Sequence, residues 1–207
     1  MKTIVTQIQW DLGTTPLTTW EKMRVKFTSW PKVKHNPHKT IVPYDQAKNR
    51  ACTAFSSAGA YTYNTGKKFT NEYIQAWADP ILKGKGSYIE KIAKLFAESH
   101  WAKYLKLSLA SKEAHAILSA WYALIVSTKC PPEFWSDGVD DGVINGKEYK
   151  KDMTGWHAIV LATNERGDIL INSWWDYEKK GKHNTYKIDA QDMLDDGLLR
   201  DVAIFIY

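Results

Sequence analysis

The stretch DQAKNRACTAFSSAGAYTYNTG, residues Asp45 to Gly66, places one of the two cysteines of the chain where a polar segment gives way to small and aromatic residues. After Cys52, Phe55 and Ala58 begin a stripe of residues at helical spacing, and Gly66 suits the position just after a helix end. The stretch therefore predicts a helix that begins at Cys52 and ends before Gly66.

The position of Cys52 is compatible with two roles. A cysteine in the first turn of a helix faces unpaired backbone N–H groups and the positive end of the helix dipole, which both favour the thiolate. A free cysteine can equally be a small, unreactive hydrophobic residue in a core. A nucleophilic thiolate also needs a base, most often a histidine, so the rest of the chain must decide between the two.

Composition indicates one folding unit of class α+β. Of the 207 residues, 44% are hydrophobic and 13% aromatic, which supports a core and argues against disorder. Helical spacing dominates from about residue 44 to 108, and β-prone runs dominate from about 109 to 207. Four prolines interrupt residues 1–43, which we expect to form an irregular extension. The pattern predicts two lobes with a seam between them.

Individual elements follow from the same patterns. Further helices are predicted over Thr70–Ala78 with Thr70 as the cap, over Ser87–Ser99 and over Ser111–Ala120. Strands are predicted for TIVTQIQW and MRVKFTSW in the extension, and for WYALIVST, NTYKI and VAIFIY further along.

The apolar runs and the basic clusters of the chain bear on its cellular location and its binding partners. The N-terminus has no apolar block long enough for a signal peptide, and the longest apolar run, AWYALIV, is far too short to span a bilayer. The net charge of +5 comes partly from short basic clusters at Lys32–Lys39, Lys147–Lys151 and Lys179–His183, which we interpret as solvated loops rather than a nucleic-acid surface. We expect a cytoplasmic protein that needs no metal or cofactor.

A predicted hairpin brings polar residues together in the second half of the chain. The β-prone runs WHAIVLA and DILINSWW flank TNERG, where Gly167 would supply a left-handed position. If the four residues NERG form the loop, Thr163 pairs with Asp168 and Ile159 lies opposite residue 172.

In this register His157 projects from the same face as Asn172, one diagonal step away. An asparagine within a buried strand is costly unless it is hydrogen-bonded, and a histidine partner would satisfy it. The pair would serve equally as a hydrogen bond inside a core or as a base with its orienting group, and strand parity alone does not separate these.

Three segments together resemble the papain-like cysteine peptidases. CTAFSSAGAY is similar to their cysteine helix start, GWHAIVLA to their histidine strand, and ILINSWW to their asparagine segment, in the same chain order. The resemblance implies a two-lobed fold, with a helical N-terminal lobe packed on a C-terminal antiparallel β lobe. It covers the chain from about Pro43 onward.

Site roles are carried over from this resemblance. It implies that Cys52 is the nucleophile, that His157 acts as general base and then acid, and that Asn172 orients the imidazole. Gln46, six residues before the cysteine, would stabilise the oxyanion together with the backbone N–H of Cys52. Trp174 corresponds to the aromatic residue that shields the Asn–His hydrogen bond from water.

The substrate loop and several departures complete the comparison. KGKGSYIEKI resembles the loop in which backbone groups pair with an extended peptide, which implies substrate binding by Gly86 and Ser87. Thr53 replaces the tryptophan that usually follows the cysteine, and Trp156 precedes the histidine where the family often has Asp or Asn. Cys130, before two prolines, is interpreted as structural. The extension is too short for a usual inhibitory propeptide.

The leading hypothesis is therefore a divergent thiol peptidase that cleaves protein or peptide substrates through an acyl-enzyme. One alternative is a papain-fold amidase acting on peptidoglycan crosslinks or isopeptide bonds. Another, from a different class, is a catalytically silent binding module that uses the basic loops.

Overall fold

In the computed structural model of the protein, the described residues are 41–42, 44–47, 49–130, 154–164, 167–171 and 185–207. The strands predicted within residues 1–40 lie outside them. The helices are α1 (Cys52–Thr65), α2 (Asn71–Leu82), α3 (Ile89–Ser99), α4 (Lys112–Ser119) and α5 (Ala190–Asp195). The strands are β1 (Tyr104–Ser108), β2 (Leu124–Cys130), β3 (Thr154–Asn164), β4 (Gly167–Ile171), β5 (Thr185–Lys187) and β6 (Leu199–Ile206). No helix in these ranges is both long and apolar enough for a membrane span.

Helix α1 has the predicted bounds. It begins at Cys52, after Ala51, whose side chain offers no cap to the first turn. It ends at Gly66, which adopts a left-handed conformation with φ 80° and donates its N–H to the carbonyl of Thr62 at 2.7 Å. Glycine adopts this conformation without the steric penalty of a Cβ, so the predicted C-terminal stop is confirmed.

The caps predicted for α2 and α4 are confirmed, whereas α3 begins two residues later than predicted. Thr70 accepts the N–H of Tyr73 at 3.1 Å, and α2 continues beyond its predicted end to Leu82. Ser111 accepts the N–H of Ala114 at the start of α4. Helix α3 begins at Ile89 rather than Ser87, which leaves the segment before it as free loop.

All six strands form one antiparallel sheet in the order β1-β6-β2-β3-β4-β5. The predicted pair Thr163–Asp168 is confirmed in the hairpin of β3 and β4. Asn164 and Gly167 also pair, so the loop is two residues shorter than predicted and Gly167 lies in β4 rather than in the loop.

Strand β1 and helix α5 were not predicted. The sheet includes β1 because Leu105 and Leu107 are buried while Lys106 between them is exposed, and because Tyr104 pairs with Ile206. Residues 44–108 were predicted to be mainly helical, but they include β1. Residues 109–207 were predicted to be mainly β, but they include α5 as well as α4, the helix predicted over Ser111–Ala120.

The sheet separates two hydrophobic cores. Helices α1, α2 and α3 pack on the face that includes Val160 and Ile204. Helices α4 and α5 contribute to the opposite core, with Ile159 and Phe205. Because alternate strand residues point to opposite faces, the continuous apolar runs of β3 and β6 fill both cores. The described residues thus form an α+β fold with helices and a six-stranded antiparallel sheet.

Candidate active site

Cys52 lies at the first residue of α1 and is only partly exposed. The backbone N–H groups of Ala158, Thr53 and Cys52 itself lie near its sulfur and favour the thiolate. Two of these donors belong to the first turn of the helix, where N–H groups lack intrahelical partners. The third belongs to the strand residue that follows His157, so the thiol lies at the contact between α1 and β3.

Burial raises the pKa of the Cys52 thiol above its ordinary value, and the three N–H donors, from Ala158, Thr53 and Cys52, offset only part of that effect. The N–H groups at the helix start do favour the thiolate, as predicted. Burial outweighs them, so the prediction is wrong for the overall pKa of the thiol, which is raised. Desolvation disfavours the charged form, and here it is the larger of the two contributions.

His157 lies near the start of β3, opposite Thr128 of β2, and only 2% of it is exposed. It lines the same cavity as Cys52. Gly155, two residues before it, has φ 66°, and the β2–β3 register shifts between Lys129 and Cys130. This irregularity is typical of a bulge, and it lies before Trp156, so His157 keeps the regular register of β3 with β2.

Helix α1 is hydrogen-bonded to β3 close to Cys52 and His157. The hydroxyl of Ser56 donates to the carbonyl of Ala158 at 2.7 Å in a buried hydrogen bond. One turn further, a Cβ on Gly59 would lie 3.1 Å from the Val160 side chain, so the helix backbone packs directly against that side chain there. Sequence reasoning missed Ser56 as a positioning residue, although it lies one helical turn after Cys52.

The cavity has a volume of about 550 Å³ and lies between the N-terminal ends of α1 and α3 and one end of the sheet. Gly86 and Ser87, which the resemblance assigned to substrate binding, both line it. Tyr88 and Trp156 also line it and are 78% and 43% exposed, so the cavity opens to solvent.

Charged side chains form the part of the cavity that sequence reasoning missed. Glu90 of α3 and Lys106 of β1 pair at 2.7 Å. The guanidinium of Arg200 in β6 lies 4.2 Å from the ring centre of Trp156 in β3. These residues meet because β1, β6, β2 and β3 are neighbours in the sheet, an arrangement that local sequence patterns do not reveal.

The remaining predicted residues are placed as follows. Gln46 is buried, donates its side-chain amide to the carbonyl of Asn49 at 2.8 Å, and is absent from the described lining of the cavity. Asn172 and Trp174 lie outside the described residues. Cys130 is the last residue of β2. Among described residues, the hydroxyl of Thr53 is buried without a hydrogen-bond partner, and Thr53 lines the cavity.

Comparisons with known proteins give little beyond this geometry. No family model matches the sequence, and no curated protein matches it at a significant level. Among solved structures, the chain is similar to one from the study titled "Structural basis for the limited antibody cross reactivity between the mite allergens Blo t 1 and Der p 1". The identity is 12% and the TM-score 0.45, over 97% of this chain and 81% of that chain.

Proposed function

We propose that the protein is a papain-like cysteine peptidase that hydrolyses peptide bonds with Cys52 as nucleophile and His157 as base. In this proposal the helices α1, α2 and α3 form one lobe and the six-stranded sheet with α4 and α5 forms the other. The cavity between them is the substrate cleft.

One observation carries the proposal: Cys52 and His157, from a helix start and a distant strand, line one solvent-open cavity. A thiol and an imidazole that served only packing would need no shared access to substrate. Nucleophilic catalysis requires that access, together with a base close to the thiol.

The proposed chemistry follows from the state of the thiol. Because burial keeps the pKa of Cys52 high, His157 must accept the thiol proton as the sulfur attacks the substrate carbonyl carbon. The carbonyl π electrons move to oxygen, and the oxyanion accepts a hydrogen bond from the backbone N–H of Cys52. By resemblance, the side-chain amide of Gln46 would be a second donor.

Collapse of this tetrahedral intermediate breaks the C–N bond, and His157 gives the proton to the departing amine. A thioester to Cys52 remains. Water, deprotonated by His157, then attacks the thioester and releases the acid product and the free thiol. By resemblance, Asn172 orients the imidazole throughout and Trp174 shields that contact from water.

The proposed substrate is an extended segment of a protein or peptide. The loop before α3 supports this, because Gly86 and Ser87 line the cavity outside any helix or strand and leave backbone groups free to pair with a peptide. We propose a cytoplasmic setting, in which a free catalytic thiol is kept reduced.

The test is labelling by a peptidyl epoxide at neutral pH, followed by mass spectrometry of the modified peptide. We expect stoichiometric modification at residue 52 in the wild type and in the matched Cys130→Ala variant. Labelling should be lost in Cys52→Ala and at least tenfold slower in His157→Ala, because removing a catalytic base typically costs about 10²–10⁴-fold.

Equal and slow labelling of both thiols would contradict the proposal and favour a binding module. Labelling of residue 52 at the same rate with and without His157 would show that the imidazole does not act on the thiol. Cleavage of a peptide library would then separate peptidase activity from other amide hydrolysis.

A further inference from the structure

The cavity extends from Cys52 along four neighbouring strands. Lys106 of β1, Arg200 of β6, Ser127 of β2 and Trp156 of β3 all line it. Ala158 lies two residues after Trp156 in β3, and Val202 lies two residues after Arg200 in β6. Both also line the cavity. Ala158 belongs to the core that α1 contacts, and Val202 packs against that core. Alternation along each strand therefore places these side chains on the helix-facing side of the sheet.

Arg200 reaches across one strand. Strand β2 lies between β6 and β3, and its small residue Ser127 lines the cavity at this point. The guanidinium carbon of Arg200 is 4.2 Å from the ring centre of Trp156, a stacking distance. Stacking engages the face of the planar group and leaves the N–H donors around its edge available for a carboxylate.

The described lining of the cavity carries a net positive charge. Its described lining carries one carboxylate, Glu90, which is paired with Lys106 at 2.7 Å. No described carboxylate pairs with Arg200, so its charge is the one that remains uncompensated in this part of the structure.

Two helix starts add to this positive character. Helix α1 begins beside the cavity without a side-chain cap, and so does α3, whose N-cap is Tyr88. Both therefore direct the positive ends of their dipoles there. The hydroxyl of Thr53, which lines the cavity, is buried without a partner among the described residues and can donate to a bound oxygen.

We infer that this cavity selects substrates that carry a carboxylate side chain near the scissile bond, with Arg200 as the residue that binds it. The inference rests on the proposed peptidase function. Trp156 holds the guanidinium over Ser127, and the substrate carboxylate approaches its free edge. A basic substrate side chain finds no unpaired carboxylate in the described lining, because Glu90 already contacts Lys106.

The experiment compares kcat/KM for pairs of pentapeptides in which Glu or Gln is placed at each position in turn. Glu and Gln have nearly the same shape, so the comparison isolates the charge. We expect one position at which Glu is preferred by about tenfold, as a charge-assisted hydrogen bond allows. The preference should decline between low salt and 0.5 M NaCl.

Substitutions test whether the preference for Glu depends on Arg200 itself or only on the overall charge near the cavity. Arg200→Gln should abolish the preference, so that the Glu and Gln peptides are cleaved with equal kcat/KM, and Arg200→Lys should retain part of it. Lys129→Gln is the matched control, because Lys129 lies 5.9 Å from the same Trp156 ring but is absent from the described lining of the cavity. It should keep the full preference.

Binding to the Cys52→Ala variant, measured by calorimetry, keeps this inference distinct from the peptidase proposal. We expect the Glu peptide to bind about tenfold more tightly than its Gln partner, and only while Arg200 is present. Cleavage or binding without a preference for Glu, or a preference that persists in Arg200→Gln, overturns the inference. Absence of any cleavage, with Arg200-dependent binding retained, overturns the peptidase function alone.

Discussion

At the scale of the residue, the environment of Cys52 contains two opposing effects. Burial raises the pKa of the thiol, whereas N–H groups from the first turn of α1 and from Ala158 stabilise the thiolate. Burial prevails. In the proposed mechanism Cys52 therefore depends on a base, and His157, which lines the same cavity, is the proposed base.

This dependence predicts the pH profile of alkylation. In a His157→Ala, Cys130→Ala variant, the rate of iodoacetamide labelling at Cys52 should rise about tenfold per pH unit, following the thiolate fraction. The rise should continue beyond pH 9.0, the ordinary thiol pKa, because burial holds the pKa of Cys52 above that value.

Cys130→Ala alone, with His157 present, is the matched control. It should label faster at pH 7, since in the proposed mechanism His157 accepts the thiol proton and the imidazolium formed in this way stabilises the thiolate. A plateau below pH 9.0 in the double variant would show that the helix start outweighs burial.

At the scale of the element, the position of the Cys52 thiol depends on how α1 packs on β3. The Ser56–Ala158 hydrogen bond lies one helical turn from Cys52 and joins the helix to the strand residue next to His157. A shift of this contact would change the distance between sulfur and imidazole, and such misplacement is costly in catalysis.

Ser56→Ala should lower the free energy of unfolding by about 1–2 kcal/mol, because it leaves the buried carbonyl of Ala158 without this donor. It should also slow epoxide labelling of Cys52. Ser57→Ala is the matched control, since its hydroxyl donates to Thr53 within α1 and does not reach β3.

Urea denaturation and labelling rates measure both effects. Equal losses of labelling in the Ser56 and Ser57 variants would mean that the contact with β3 does not position the thiol.

The sequence predicted those elements whose signals are local. Helix α1 was predicted from a stripe and a terminal glycine, α2 from the cap at Thr70, and the hairpin register from alternation and the turn. Strand β1 was missed because five residues acquire their strand character by pairing with β6, near the other end of the chain. The same non-local pairing assembles Lys106 and Arg200, so the charged part of the cavity was missed with it.

At the scale of the whole molecule, Asn64 joins the two halves of the chain. Its side-chain N–H groups donate to the carbonyls of Ala123 and Ile206 at 3.0 and 2.7 Å, and its oxygen accepts the N–H of Ala123 at 2.7 Å. The end of α1 is thereby connected to the residue before β2 and to the end of β6.

Asn64→Ala should lower the free energy of unfolding by about 2–3 kcal/mol, since three partly buried hydrogen bonds are lost together. Asn64→Asp retains the acceptor for Ala123 but neither donor, and should be destabilised as well. Thermal unfolding measures both. A change of less than about 0.5 kcal/mol, typical of a neutral surface substitution, would show that these contacts do not hold the halves together.

The central claim is that the Cys52 thiol and the His157 imidazole interact at one cavity. NMR titration of the His157 ring tests it most directly, in the wild type, in Cys52→Ala, and in Cys130→Ala as the control. We predict that the pKa of His157 shifts when the sulfur of Cys52 is removed and is unchanged when that of Cys130 is removed. An identical His157 titration in all three proteins would contradict the claim.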